Sequence, residues 1–193
     1  GAEGSLGNPN VTWERAAKTN IGLDARFLRD KLSVTADYFT EKRTGILTML
    51  DQIIPYAYGV QASSTPPDNV GSVSNKGFEL VLGWNDRIGD VSYNLSLNLN
   101  HSKNRIEYMA ESPKPYPWLY SAGFPVGQYK GLETDGFFNT QEELDKRVYN
   151  TFNANNTALG DVRYKDVNGD GLIDYKDIVN IGYSNLPQYS FGF

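Results

Sequence analysis

Four stretches of the chain alternate apolar and polar side chains with the two-residue period of a β-strand. They form two pairs, each joined by a short polar turn, the first around Asp30 and the second at residues 86–90. The apolar positions are Ile21, Leu23, Ala25 and Phe27; Leu32, Val34, Ala36 and Tyr38; Phe78, Leu80, Leu82 and Trp84; and Val91, Tyr93, Leu95, Leu97 and Leu99. The pattern predicts two antiparallel β-hairpins, each with one apolar and one polar face.

The remaining segments are less regular, and they complete a predicted organisation of residues 1–193 as one continuous β-structure. We expect a hairpin at 17–42, a loop at 44–72, a hairpin at 73–104, an insertion at 105–182 and the start of another strand at 186–193. Prolines mark the loops, because proline lacks the amide proton that a central strand donates. Thr140 and Glu143 have the spacing of a capping box, which predicts one short helix from Thr140 to about Tyr149.

Strands of this kind suit two environments. A lipid-facing barrel with a wet lumen uses strands of about ten residues with one apolar and one polar face. A sheet that packs on only one side in a soluble protein has the same pattern. The alternation alone leaves both interpretations open.

Composition favours β-structure and excludes several classes of function. The 193 residues include 13 Tyr and 19 Gly, a balance typical of strands and turns. The net charge of −5 argues against a nucleic acid as partner, since phosphate binding needs a basic surface. The absence of cysteine excludes disulfides and thiolate chemistry. Because the chain begins at Gly1 without Met, we expect it to be a piece of a longer protein.

The segment Asp166–Asp177 (D-V-N-G-D-G-L-I-D-Y-K-D) has the ligand spacing of an EF-hand-like calcium loop. Gly171, at position six, supplies the sharp turn, while the flanking residues look extended and not helical. Aspartate at the last position, where glutamate is usual, reaches less far, which bears on affinity and selectivity. The alternative is an acidic surface turn that binds no metal strongly. The predicted ligands of a structural calcium ion are Asp166, Asn168, Asp170, the Leu172 carbonyl, Asp174 and Asp177.

Catalytic chemistry has little support in the sequence, and we expect that the protein is not an enzyme. His101 is the only histidine, and it falls at a strand end with no partners for a triad. Glu133 and Asp135 share a face, but that spacing is too common to indicate glycoside cleavage. Aromatic residues at 116, 118 and 120 surround a Pro-rich loop, where they could pack under the loop, form an interfacial girdle or stack on sugars.

Several blocks of sequence, in order, resemble the barrel of SusC/RagA-type TonB-dependent outer-membrane transporters of Bacteroidetes. The blocks are Asn8–Glu14 with Asn20–Asp24 and Ala36–Phe39; Val70–Leu80; Phe124–Phe138; Gly160–Gly171; and Leu186–Phe193. The resemblance covers nearly the whole chain. It implies a mainly β fold, made of antiparallel hairpins from part of a large outer-membrane β-barrel.

The resemblance also implies a function. The parent protein would import glycans or other nutrients across the outer membrane of a Gram-negative cell, energised by TonB and assisted by a SusD-like surface lipoprotein. The cut strands would contact outer-membrane lipid in the parent, and would self-associate in an isolated fragment. The alternative is a free-standing extracellular β-module, stabilised by calcium, that binds carbohydrate or a partner protein. In that case residues 78–84 and 91–97 would face each other in one core.

Overall fold

The computed structural model describes residues 7–49, 66–153 and 156–193. Antiparallel strands dominate, which confirms the prediction of a mainly β chain with few helices. No helix in these described ranges is long and apolar enough to cross a membrane. The strands are β1 Arg15–Phe27, β2 Leu32–Thr48, β3 Asp68–Ile88, β4 Val91–Tyr108, β5 Gln128–Leu132, β6 Thr134–Phe137, β7 Tyr149–Asn150, β8 Val162–Tyr164, β9 Leu172–Ile173, β10 Ile178–Ser184 and β11 Tyr189–Gly192; the helices are α1 Gln141–Asp145 and two 3₁₀ turns, Pro117–Leu119 and Tyr175–Asp177.

The described residues form two compact units, and the predicted organisation of residues 1–193 as one continuous barrel segment stays a prediction. The first unit comprises the described residues of Gly1–Ser112 together with Ala122–Val126 and Leu186–Phe193. The second comprises the described residues of Pro113–Ser121 and Gly127–Asn185. Most of the predicted insertion is therefore a unit with contacts of its own.

The first unit is built on a five-stranded antiparallel sheet with the order β1-β2-β3-β4-β11. Neighbours in sequence are neighbours in the sheet for the first four strands, as a meander requires. The last strand, β11, reaches the sheet after the second unit and pairs with β4, where Phe191 lies opposite Leu99. The start of a further strand predicted at 186–193 corresponds to β11.

Both hairpins are longer than the alternation indicated. The predicted loop at 44–72 is corrected at both ends, because β2 continues to Thr48 and β3 begins at Asp68; residues 50–65 of that loop lie outside the described residues. A bulge near Gly45 interrupts the pairing, and the Asn69 side chain donates to the carbonyls of Gly45 (2.7 Å) and Thr12 (2.9 Å) there. The irregular pairing hides the two-residue period, although the backbone remains in the sheet.

The second unit consists of three two-stranded pairings, β10 with β5, β6 with β8 and β7 with β9. Its helix begins at the predicted capping box, in which the Thr140 hydroxyl accepts from the Glu143 amide and the Glu143 carboxylate accepts in return. The helix ends at Asp145 and not near Tyr149, because Tyr149 enters β7 and pairs with β9. Phe138, Leu144 and Ile173 are buried in this unit.

Asp177 is the most buried polar residue described in the second unit, with no exposed surface. Its Oδ1 accepts hydrogen bonds from the amides of Val167 (2.9 Å) and Asn168 (3.2 Å). Its Oδ2 accepts from the amide of Asp174 (2.9 Å). One carboxylate therefore fastens the two ends of the segment Asp166–Asp177, hereafter the acidic loop, to each other.

Replacing Asp177 with Asn tests this anchoring role. The amide nitrogen of asparagine would face a backbone N–H, leaving one buried donor without an acceptor, which costs about 1–3 kcal/mol. We expect faster hydrogen exchange at the amides of residues 167, 168 and 174. Asp145→Asn, at an exposed position, is the matched control and should leave these amides unchanged. Equal exchange in the two variants would contradict the anchoring role.

Candidate functional site

The apolar side chains predicted from alternation lie on one face of the five-stranded sheet. The register places Tyr38 opposite both Ile21 and Phe78, and Leu82 opposite both Val34 and Leu97. Because opposed residues in a sheet point to the same side, the predicted apolar positions join their neighbours in continuous rows, except for Val91 and Tyr93, which lie nearer the turn, with Tyr93 opposite Asp86. We call these rows the apolar band: Ile21, Tyr38, Phe78, His101 and Tyr189; Leu23, Ala36, Leu80, Leu99 and Phe191; Ala25, Val34, Leu82 and Leu97; and Phe27, Leu32, Trp84 and Leu95.

The band is open to its surroundings. Phe78, in the central strand, has 39% of its surface exposed, and Leu97 has 45%. No residue of the band belongs to the buried core among the residues described. An exposed apolar face that extends over five strands indicates contact with a partner or with lipid.

The opposite face of the sheet is polar and hydrogen-bonded between strands. Asn100 Nδ2 donates to Glu79 Oε1 (2.7 Å), and the Thr35 hydroxyl donates to Asp24 Oδ1 (2.6 Å). Such side chains are stable against water and unfavourable against hydrocarbon. The polar face therefore suits water, and the apolar band suits hydrocarbon.

Charged residues bound the apolar band at both ends. On the same face, Lys76 precedes the row of Phe78, and Asp86 follows the row of Trp84. The ten residue-to-residue steps from Lys76 to Asp86 span about 33 Å along an extended strand. With a strand tilt of about 40°, this corresponds to about 25 Å along the membrane normal, which is the height of the apolar band of outer-membrane barrels.

The arrangement contradicts the core expected for a free-standing module. Residues 78–84 and 91–97 do not face each other across two layers; they are side by side on one sheet, with Trp84 opposite Leu95. The alternation was correct, but it does not distinguish adjacent strands from stacked sheets. No second layer covers this face within the described residues.

The acidic loop of the second unit has the turn geometry of a cation-binding loop. Asp166 accepts from the amides of Gly169 (2.7 Å) and Gly171 (2.8 Å), and Asn168 accepts from the amide of Asp170 (2.8 Å). Gly171 has a φ of +81°, as predicted for the sharp turn. The loop lies between the extended segments β8 and β10. These hydrogen bonds curve the backbone and hold the side-chain oxygens of Asp166 and Asn168 against the backbone of the loop.

A lysine ammonium occupies part of this loop. Lys176 Nζ lies 3.0 Å from Asp170 Oδ2 and 3.4 Å from Asp174 Oδ2. The hydrogen bond from Lys176 holds the pKa of the Asp170 carboxyl below its usual range, and the same bond raises the pKa of Lys176. Both groups are therefore charged at neutral pH, and the pair is lost as the pH falls through the lowered pKa of Asp170 or rises through the raised pKa of Lys176.

The acidic loop has the ligand chemistry of a site for a hard cation, but its ligand oxygens are not arranged around a common centre. Carboxylate, amide and carbonyl oxygens are the ligands that calcium prefers. Asp177, however, uses both oxygens for backbone amides, and Lys176 competes for Asp170 and Asp174. Among the described residues, no three acidic or histidine side chains form a group ready to hold a metal. The six predicted ligands, Asp166 to Asp177, therefore stay a prediction.

The other chemistry-bearing residues are engaged in structure. His101 Nδ1 lies 3.1 Å from the Gln188 carbonyl, and its ring stacks on Tyr189 at 4.3 Å. Glu133 pairs with Lys165 (3.5 Å), and Asp135 pairs with Arg163 (3.4 Å).

Two of the three aromatic residues near the Pro-rich loop stack on each other. The rings of Tyr116 and Trp118 are 4.6 Å apart, and Trp118 Nε1 donates to the Lys176 carbonyl (2.8 Å). The Tyr120 hydroxyl accepts from the Lys114 amide (2.8 Å). Packing, the first of the three roles considered from sequence, accounts for these contacts.

Sequence reasoning missed the role of Lys176 in the acidic loop. Its position, one residue before Asp177, gave a signal, because a basic residue inside a cluster of carboxylates is drawn to them. Sequence reasoning also missed the clamp made by Asn69, since its partners are 24 and 57 residues away along the chain.

Comparison with known proteins agrees with the geometry of the sheet. The family model described as TonB dependent receptor-like, beta-barrel matches residues 1–191. The chain is 30% identical over 201 residues to TonB-dependent receptor P26 of Formosa agariphila, covering 98% of this chain and 19% of that protein. It is 31% identical over 171 residues to TonB-dependent receptor SusC of Bacteroides thetaiotaomicron, covering 88% of this chain and 17% of SusC.

A solved structure, described as the RagAB peptide transporter, has the same fold. It superposes with a TM-score of 0.69 at 20% identity, over 99% of this chain and 20% of that chain. The present chain thus spans about a fifth of the proteins it matches. Members of the matched family are outer-membrane proteins. The chain belongs to the β-barrel family of TonB-dependent receptors.

Proposed function

We propose that this chain is one section of the barrel wall of a larger outer-membrane importer, energised by TonB. The single observation that carries the proposal is the apolar band, which continues over five strands, opposes a polar face and has no protein layer over it among the described residues. Hydrocarbon on one side and a wet lumen on the other satisfy both faces. A wall section of this kind transports nothing by itself, and import is a property of the complete receptor.

The imported substrate and the partner proteins are proposed by analogy with the relatives. One relative bears the name SusC, and the similar solved structure is described as a peptide transporter. We infer a nutrient of the glycan or peptide kind as cargo, a SusD-like surface lipoprotein as partner, and a role in transport without catalysis. These assignments rest on the relatives and not on a contact in this chain.

For the acidic loop we propose a structural calcium ion. Support comes from the donor set and from the turns that Asp166 and Asn168 make with backbone amides. The ammonium of Lys176 supplies positive charge beside the same carboxylates. A bound calcium ion would replace that ammonium, and would neutralise more of the acidic charge than lysine does.

Adjacent residues of β3 test the barrel-wall proposal. In the complete receptor, Leu82→Arg places a charge near the middle of the apolar band, which should lower the free energy of unfolding by about 2–4 kcal/mol. Val81→Arg places the same charge on the polar face, because neighbouring residues in a strand point to opposite sides.

The measurement is unfolding of the receptor in lipid bilayers, with the heat-dependent shift in gel mobility as a second readout. We expect a large loss for Leu82→Arg and a small one for Val81→Arg. Similar losses in the two variants would refute the assignment of the lipid face.

The competition between Lys176 and calcium gives a sharper test of the metal site than removal of a ligand does. Lys176→Met removes the competing ammonium from Asp170 and Asp174, so calcium affinity of the receptor should rise by about tenfold. Asp170→Asn should lower it, since a charged ligand is lost.

Isothermal titration calorimetry of the complete receptor with calcium measures both changes. Lys146→Met, which breaks an exposed pair with Glu142 elsewhere in the second unit, is the control and should leave the affinity unchanged. Absence of calcium-dependent heat in the wild type and in Lys176→Met alike would eliminate the site.

A further inference from the structure

A group of basic side chains lies just beyond the apolar band, on the same face of the sheet. Lys76 of β3 is directly opposite Lys103 of β4. One step further from the band, Arg105 is opposite Ser74, which in turn is opposite Lys42 of β2. We call Lys42, Lys76, Lys103 and Arg105 the outer basic cluster; all four are exposed.

The outer basic cluster carries more positive charge than the described chain offsets. None of its four residues forms a salt bridge within 4.0 Å to a carboxylate of the described chain. The Glu107 carboxylate accepts a hydrogen bond from the Ser74 hydroxyl beside the cluster, and it offsets at most one of the four positive charges. Like charges directly opposite each other destabilise a sheet. An anion from outside the described chain would relieve that repulsion.

The bases on the other face at the same level are neutralised. Lys18 pairs with Glu41 (3.3 Å), and Arg43 pairs with Glu41 (2.8 Å) and Glu14 (2.6 Å). The bases on the apolar-band face therefore differ from those on the polar face in how far carboxylates pair with them. On the polar face these bases pair with carboxylates, whereas on the apolar-band face one nearby carboxylate, Glu107, accompanies four bases among the described residues.

The opposite border of the apolar band is neutralised as well. There Lys31 pairs with Asp86 at 2.7 Å, close to the tight turns that join β1 to β2 and β3 to β4. The outer basic cluster is on the other side of the apolar band, towards the strand ends from which the long connections leave the sheet. In outer-membrane barrels the short turns are periplasmic and the long loops extracellular. The outer basic cluster therefore lies at the level of the outer leaflet.

We propose that the outer basic cluster binds the phosphate groups of lipopolysaccharide in the outer leaflet. The lipid's acyl chains would lie along the apolar band, and its phosphates would meet the four bases one to two rows further out. Arginine and lysine at a membrane border attract anionic headgroups, and the Arg105 guanidinium offers paired donors that match phosphate oxygens. This inference rests on the proposed function, because it requires the band to be in the membrane.

The experiment measures lipopolysaccharide that remains bound to the complete receptor. Receptor in nanodiscs of phosphatidylcholine with a minority of lipopolysaccharide is extracted in mild detergent and separated by size, and retained lipid is quantified per receptor. The test variant is K76Q/K103Q/R105Q. The matched control is R26Q/K31Q/R87Q, which removes the same charge at the turn end of the same sheet.

We expect the test variant to retain at least about tenfold less lipopolysaccharide than the control. The conservative variant K76R/K103R should retain it as the wild type does, which separates charge from loss of folding. Enzymatic removal of the lipid phosphates should abolish the difference between test and control.

Three results would overturn the inference. They are equal retention by the test and control variants, retention that does not depend on the lipid phosphates, and displacement of the lipid by inorganic phosphate at equal concentration. The last result would indicate a site for free anions and not for lipid. Failure of the barrel-wall proposal has a different signature, since the wild-type receptor would then not assemble in the nanodisc at all.

Discussion

The cross-strand register of the five-stranded sheet is the constraint on which the remaining structure depends. A strand points alternate side chains to opposite sides, so one residue of slippage in a strand would move all of that strand's apolar side chains to the polar face. The pairing of Leu82 with Val34 and Leu97 keeps the rows continuous. The same register places Lys76 beside Lys103 and brings charged residues to both borders of the band. The apolar band, the polar face and the outer basic cluster are thus all consequences of one strand register.

The second unit is held by a different interaction, in which backbone amides donate hydrogen bonds to carboxylate oxygens. Asp177 is buried and accepts three N–H groups, so its charge is solvated by the loop itself. Asp166 curls the start of the loop in the same way. Asp170 and Asp174 retain a cation, the Lys176 ammonium, between them. Hydrogen bonds from its own backbone amides order the acidic loop, and the cation beside Asp170 and Asp174 adds to that order.

The sequence predicted the faces of the strands well, because alternation is a local property and side-chain direction follows it without exception from Phe78 to Trp84. It predicted the strand ends poorly, since bulges near Gly45 and Ser72 shift the period while the pairing continues. The capping box at Thr140 was recognisable because its partners are three residues apart. The length of the helix could not be recognised, because Tyr149 pairs in a strand with residues more than twenty positions away. The burial of Asp177 could not be predicted, because a carboxylate at that position is compatible both with calcium ligation and with anchoring of backbone amides.

The most direct test of the one-sided lipid face uses single cysteines in a cysteine-free complete receptor reconstituted in bilayers. Spin labels at Leu80→Cys, Val81→Cys, Leu82→Cys, Leu97→Cys and Asn98→Cys are compared for collision with oxygen, which is concentrated in hydrocarbon, and with a water-soluble nickel chelate. We expect high oxygen access at 80, 82 and 97 and high nickel access at 81 and 98. Uniform access along β3 and β4, or the opposite alternation, would contradict the one-sided lipid face.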